Sequence, residues 1–260
     1  MWRQFIIPAF CCLIAPANVF GSDFSFAVGA RAIAWEEVSL DGQRLVSETG
    51  VLPLLALAAD IPFSSDWMLS AFANHSRGEL EYDGRLQSGN SFRSSTRAET
   101  LSFGVSLISP TIKQAFGAAH SLQFGIGFTN RSRRISGSAG VSELREEYHL
   151  PAIRLGWHAQ WPFLHTAFIT EYHYDSSVKV TVPDQAYGSI RLPECLSFRL
   201  EFSKPLLKKL SARLAWQYSH MRRSADSGFY VKDGTTRIGR ISQPENTLGE
   251  VAFSLQYAIN

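Results

Sequence analysis

The chain has 260 residues, 45% of them hydrophobic and 18% charged, with a formal net charge of +2 at pH 7 and three cysteines. That length fits one domain of fair size. The near-neutral balance and the lack of a basic stripe exclude a nucleic-acid binder, and the cysteines are too few for a disulfide-stapled fold.

Residues 1–22, MWRQFIIPAFCCLIAPANVFGS, have the layout of a secretory signal peptide. Arg3 makes a positive head, Phe5 to Ile14 is mostly apolar, and small residues allow cleavage anywhere from Ala17 to Ser22. The apolar stretch is shorter than the roughly 20 residues that a transmembrane helix needs. Cleavage removes Cys11 and Cys12 and leaves Cys195 as the one thiol of the expected mature domain, 23–260.

From there, apolar and polar residues alternate with period two. Phe24, Phe26, Val28, Ala30, Ala32 and Ala34 share one face of the first run. Further runs lie near 51–61 and 67–82. Leu101, Phe103, Val105 and Leu107 alternate with Ser102, Gly104 and Ser106; Leu122, Phe124, Ile126 and Phe128 alternate with Gln123, Gly125, Gly127 and Thr129. Runs near 147–160 and 164–175 follow. Leu196, Phe198, Leu200 and Phe202 then alternate with Ser197, Arg199 and Glu201, and the series continues through Leu210 to Tyr218 and Val251 to Ile259. Alternation of this kind makes strands with one apolar and one polar face, about ten of them here.

The polar faces carry Arg154, Glu171, His173, Arg199, Glu201, Arg213 and Glu250, which is too much charge for a dry core. A membrane barrel avoids that difficulty by turning the apolar face to lipid and the polar face to a lumen. Short connections at Pro62–Asp66, Trp161–Phe163 and Lys204–Lys209, and a somewhat longer one at Ser109–Ala119, alternate with long polar excursions at 36–50, 83–95, 130–146, 176–188 and 221–246. Short periplasmic turns and long outer loops follow this pattern. Aromatic residues near the run ends, including Trp35, Tyr148, Trp157, Trp161, Tyr172, Trp216, Tyr218 and Tyr257, suit the girdles at the two membrane interfaces. The expected fold is all-β: a monomeric transmembrane up-and-down antiparallel β-barrel of about ten strands, in the outer membrane of a Gram-negative cell.

The stretch EEYHLPAIRLGWHAQWPFLHTAFITEYHYDSSV (146–178) resembles the centre of the omptins, ten-stranded outer-membrane aspartyl proteases. HSLQFGIGFTNRSRRIS (120–136) is similar to the omptin strand before it, and residues 25–61 are similar to the first omptin hairpin in layout. The resemblance implies an Asp-x-Asp pair in the second outer loop and an Asp-x-His pair in the fourth, with water activated between them. The chain departs from both. Its second loop region, GELEYDG, offers Glu79 and Glu81, and its fourth loop contains Asp184 and no histidine. The nearest Asp-x-His analogue is Glu171-x-His173, with Asp175 two residues further along the same expected lumen face.

Glu79, Glu81, Glu171 and His173 are therefore the candidate catalytic residues, with His173 and a carboxylate as a general base facing the glutamates across the barrel mouth. The plainer reading of Glu171, His173 and Asp175 is lumen packing, paired with Arg154 and Arg199 on the flanking strands. No metal site or cofactor is expected, and no serine lies in a recognisable nucleophile motif. RSRRIS and HMRRS place Arg131, Arg133, Arg134, Arg222 and Arg223 at the bases of outer loops, where lipopolysaccharide phosphates would meet them; solvated loop charge is the alternative. With the protease motif degraded, the sequence points away from an enzyme and toward a surface, adhesion or structural role. A hydrolase, either a divergent omptin-like protease or a lipid-modifying enzyme, is the second reading. A pore ranks last, because ten strands leave a lumen largely filled by side chains.

Overall fold

The computed structural model of the chain describes residues 23–64, 66–85, 90–137, 141–231, 234 and 236–259. The predicted signal peptide, 1–22, lies outside the described residues. The strands in chain order are β1 (Asp23–Val38), β2 (Arg44–Pro62), β3 (Met68–Arg85), β4 (Ser91–Ile108), β5 (Lys113–Ala115), β6 (Ala118–Ile135), β7 (Leu144–Trp161), β8 (Leu164–His173), β9 (Ser177–Val182), β10 (Ala186–Arg191), β11 (Cys195–Leu207), β12 (Leu210–Met221), β13 (Ser227–Val231), β14 (Arg237–Ile241) and β15 (Glu245–Ile259). Ten of them form a closed antiparallel ring: β1, β2, β3, β4, β6, β7, β8, β11, β12, β15 and back to β1. The last pairing, from Phe24↔Ile259 to Val38↔Glu245, closes the ring and sets both ends of the barrel chain at the rim with the short turns.

The sequence forms this ring because each strand turns its apolar residues outward at membrane height. Phe26, Val28, Leu55, Leu57, Phe124, Ile126, Ile153, Leu155, Trp157, Phe168, Trp216, Val251 and Phe253 are all exposed on the outer wall. On β15 the outward apolar set runs over the nine residues from Val251 to Ile259, the length that a tilted strand needs to cross a bilayer. Aromatic pairs ring this belt, among them Phe26–Tyr257, Phe103–Phe128, Phe168–Phe198 and Trp216–Tyr218.

Toward the outer end the polarity inverts. On β3 the outward residues become His75, Arg77, Glu79, Glu81 and Asp83, while Ser76 and Leu80 point inward and are buried. On β7, Arg145, Glu147 and His149 face out while Tyr148 and Leu150 are buried inside. Here the wall faces water rather than lipid, so its buried apolar side is the inner one. Ile33, Trp35, Leu52, Leu80, Tyr148, Leu150, Val178, Val180, Ile190, Leu192 and Leu248 meet as an apolar core inside the outer half of the barrel. Trp35 and Tyr148, expected in the interface girdle, belong to this plug instead.

The expected long outer excursions are largely ordered strand. Residues 36–50 narrow to a turn at 39–43, because β1 and β2 stay paired up to Val38↔Arg44. Stretch 176–188 holds β9 and the start of β10, which runs on to Arg191, and 221–246 holds β13 and β14. β9 pairs with upper β7 above the end of β8, and β10, β13 and β14 continue that sheet outward. The polar composition that signals loop also describes a strand wall in water, so length and polarity alone misplace these boundaries.

Candidate lumenal site

The lumen is layered. At the outer end Arg133 is 2% exposed and surrounded by carboxylates. Its Nε donates to Glu48 Oε2 at 3.0 Å, and its Nη1 donates to Glu37 Oε1 at 3.0 Å and to Glu146 Oε2 at 2.6 Å. Nη2 reaches Glu48 Oε1 at 2.9 Å, so Glu48 takes both arms of the guanidinium fork. Thr96 donates to Glu48, Tyr148 to Glu146, and the Trp35 ring lies 4.5 Å from the guanidinium. The three glutamates come from β1, β2 and β7, while the arginine comes from β6.

Beneath the apolar plug, Arg131 Nη2 donates to Glu250 Oε1 at 3.0 Å, and Arg31 stands 3.9 Å from the same carboxylate. β6 and β15 lie opposite each other in the ring, so the Arg131–Glu250 bond crosses the lumen. Deeper still, Arg154 Nε meets Glu171 Oε1 at 2.9 Å and Glu201 holds both Arg199 and Arg213. Gly127 makes room for Arg154: a Cβ there would come 3.1 Å from Arg154 Cδ. The periplasmic end holds a cavity of about 480 Å³ lined by Asp60, Gln123, His158, His165, Ser203 and Ser211, among others.

Glu171 and His173 come together in the lumen, with His173 Nε2 3.9 Å from Glu171 Oε2. The same nitrogen lies 3.0 Å from Ser197 Oγ, which in turn lies 2.7 Å from Ser219 Oγ. Asp175 does not join them. β8 ends at His173, and Asp175 takes a left-handed turn conformation (φ 47°) that leaves it exposed, 3.3 Å from Arg191. Glu79 and Glu81 do not join them either. Both sit on the outward face of β3, and Glu79 is 66% exposed and 3.9 Å from Arg97. The four candidate catalytic residues therefore do not face one another across the mouth. The polarity inversion on β3 is the reason.

The arginines divide in the same way. Arg131 and Arg133 point into the lumen, against the expectation that they contact lipid, because they continue the inward parity of Gln123, Gly125, Gly127 and Thr129. Arg134 points outward, bound to Glu143 at 2.6 Å, and Arg222 and Arg223 are exposed. Arg134 lies in register with Arg97 on β4 and with Arg145 on β7, which makes a row of three outward arginines.

Ser197 is the residue that the sequence motifs missed, and only its inward parity marked it. In a Ser-His-carboxylate relay the carboxylate holds the histidine nitrogen away from the serine. Here Glu171 approaches the nitrogen that already touches Ser197, and among the described residues His173 Nδ1 makes no side-chain hydrogen bond. Ser197 is 1% exposed, and the space beside it is about 40 Å³, room for water.

No protein-family model and no curated protein matches the chain. Among solved structures, the outer membrane protease OmpT from Escherichia coli superposes with a TM-score of 0.62 at 10% identity, covering 93% of this chain and 98% of that one. The transport unit of the autotransporter AIDA-I from Escherichia coli gives 0.52 at 10% identity, covering 96% and 94%. At that identity the likeness shows the fold alone: a closed, ten-stranded antiparallel β-barrel of the outer-membrane type.

Proposed function

We propose that the protein is a monomeric, non-conducting and non-catalytic barrel of the outer membrane, whose role lies in the outer wall that it holds above the bilayer. The observation that supports this reading is the Arg133 knot over the apolar plug, which fills the outer mouth where a substrate or solute would have to enter. The test is the purified barrel in a planar bilayer, and in solution with basic peptides and phospholipid. Neither stepwise conductance nor turnover is expected. Single-channel currents, or peptide cleavage abolished by His173→Gln, would overturn it.

The lipid partner under this reading is an anionic headgroup, lipopolysaccharide phosphate first. Arg97, Arg134 and Arg145 stand side by side on the outer face, an arrangement that is unfavourable unless anions lie against it. Glu143 and Glu79 supply part of that charge, and a phosphate would supply the rest. Arg222 and Arg223 form a second exposed cluster. Replacing the row by glutamine should weaken lipopolysaccharide binding in a salt-dependent way, and unchanged binding would exclude this face. One contact favours the alternative of a hydrolase: His173 Nε2 on Ser197 Oγ at 3.0 Å. A serine-directed phosphonate probe that labels Ser197 in the folded barrel would support it.

A further inference from the structure

The periplasmic cavity contains a pair of histidines that the lumen network does not use. His158 Nδ1 and His165 Nε2 are 3.1 Å apart, and the two rings stack at 5.2 Å between centroids. The side chains are diagonal neighbours on the inner face of the β7–β8 hairpin, where His158 pairs with Ala167 and His165 with Gln160. Both are half-buried and both line the cavity of about 480 Å³. We infer that this pair is a chelating site for a divalent transition-metal ion of the copper, nickel or zinc class, reached from the periplasmic end of the barrel.

The spacing fits the chemistry. A metal bound about 2.0–2.1 Å from each of two nitrogens 3.1 Å apart subtends an angle of about 100°. That lies close to the cis angle of tetragonal copper(II) or nickel(II) and to the tetrahedral angle of zinc. The second shell is also in place. Gln123 Oε1 lies 2.8 Å from His158 Nε2. A carbonyl oxygen only accepts, so it holds the proton on Nε2 and turns the Nδ1 lone pair toward His165. An outer hydrogen bond of this kind fixes the tautomer and orientation of a metal-binding imidazole. His165 now donates its Nε2–H to that lone pair. On binding, this proton moves to Nδ1 of the same ring, and both inner nitrogens become ligands with no net change in charge.

Among the described residues, no three His, Cys, Asp or Glu side chains stand close enough to share a metal. The protein therefore supplies two ligands, and cavity water supplies the others. That makes an exchangeable chelate rather than a buried structural centre. The carboxylate of Asp60, which lines the same cavity, favours a cation here. Arg154 and Arg213 oppose it, but each is paired with a carboxylate, Glu171 and Glu201 respectively.

The test uses the untagged, detergent-folded barrel titrated with copper(II) and followed by electron paramagnetic resonance and calorimetry. One ion per barrel is expected, with hyperfine coupling to two imidazole nitrogens. His158→Asn and His165→Asn should each lose one nitrogen from the spectrum and bind at least ten-fold more weakly. His75→Asn and His149→Asn, which lie on the outer wall, should bind as the parent does. Gln123→Leu leaves both imidazoles in place and should weaken binding by about 10–100-fold. Every variant is first checked for the folded band on an unboiled gel. Absence of stoichiometric binding, or binding that persists in the His158→Asn, His165→Asn double variant, would overturn the assignment, as would a Gln123→Leu barrel that binds like the parent.

Discussion

Replacing Arg133 with methionine removes the one cation, among the described residues, that three buried glutamates share. Glu37, Glu48 and Glu146 are 7%, 1% and 7% exposed, so water cannot take the place of the guanidinium. Stripping one partner from a buried ion network commonly costs about 3–5 kcal/mol, because charge is left uncompensated. Three carboxylates on one arginine place this site at the upper end of that range. The same physics predicts a rescue. With Glu37→Gln, Glu48→Gln and Glu146→Gln added, no charge is stranded and most of the loss should return, since a neutral packed replacement of a buried ionic cluster is often close to isoenergetic. The assay is urea unfolding from lipid vesicles, read by the gel-shifted folded fraction and by tryptophan fluorescence. Trp35, 4.5 Å from the guanidinium, is the tryptophan of that signal that lies against the knot. A single variant that loses less than about 1 kcal/mol, or a quadruple variant as unstable as the single one, would refute the idea that ion pairing holds the outer mouth shut.

Three further outcomes follow from the same structure. The detergent-folded protein should migrate faster unboiled than boiled, since a ring with every membrane strand paired resists unfolding; a water-soluble product without that shift would contradict a lipid-facing outer wall. Phe124→Arg, 48% exposed on the lipid face, should cost about 2–4 kcal/mol near the midplane, whereas Ser211→Arg has the periplasmic cavity to enter and should cost far less; equal losses would mean that the two faces are misassigned. Glu79→Gln and Glu81→Gln should each change stability by no more than about 0.5 kcal/mol, as surface charges do, and leave every activity of the barrel unchanged; a larger effect in an unfolding titration or an activity assay would mean that these side chains act in the lumen.

The ring was legible in the sequence wherever lipid imposes strict alternation. Phe124, Ile126, Leu200, Val251 and Phe253 face outward as the period-two pattern requires, and Arg154, Glu171, Arg199, Glu201 and Glu250 face inward. The outer half was less legible because the rule changes sign there. Above the bilayer, Glu79 and Glu81 face water while Leu80 is buried, so a polar run that looks like a loop is the solvated side of a strand. Arg131 and Arg133 show the other limit. Grouped with Arg134 as a basic cluster they point to lipid, but parity carried along β6 from Gln123 places them in the lumen and Arg134 alone outside. A contact such as His173 with Ser197 depends on cross-strand register, Cys195↔His173 and Ser197↔Glu171, which no local pattern fixes.

Under the function proposed here, the arrangement of lumen charge supports a sealed barrel rather than an open one. Six arginines (31, 131, 133, 154, 199 and 213) face six glutamates (37, 48, 146, 171, 201 and 250). They are not evenly mixed. The outer layer has three carboxylates on Arg133, whereas the middle layer has five arginines on three carboxylates. Either layer alone would carry net charge and draw water and counterions into the lumen. Together they balance, with the apolar plug between them. The bonds also join walls distant in the ring: Arg131 on β6 reaches Glu250 on β15, and Arg133 on β6 reaches Glu37 on β1. An ion passing through would have to break these cross-lumen pairs and cross the apolar layer, where its own desolvation is unfavourable. A catalytic groove would need the opposite arrangement, with carboxylates held apart at an open mouth and water between them. In this chain the carboxylates at the mouth are bound to one arginine, and the pair left outside faces solvent on the far side of the wall.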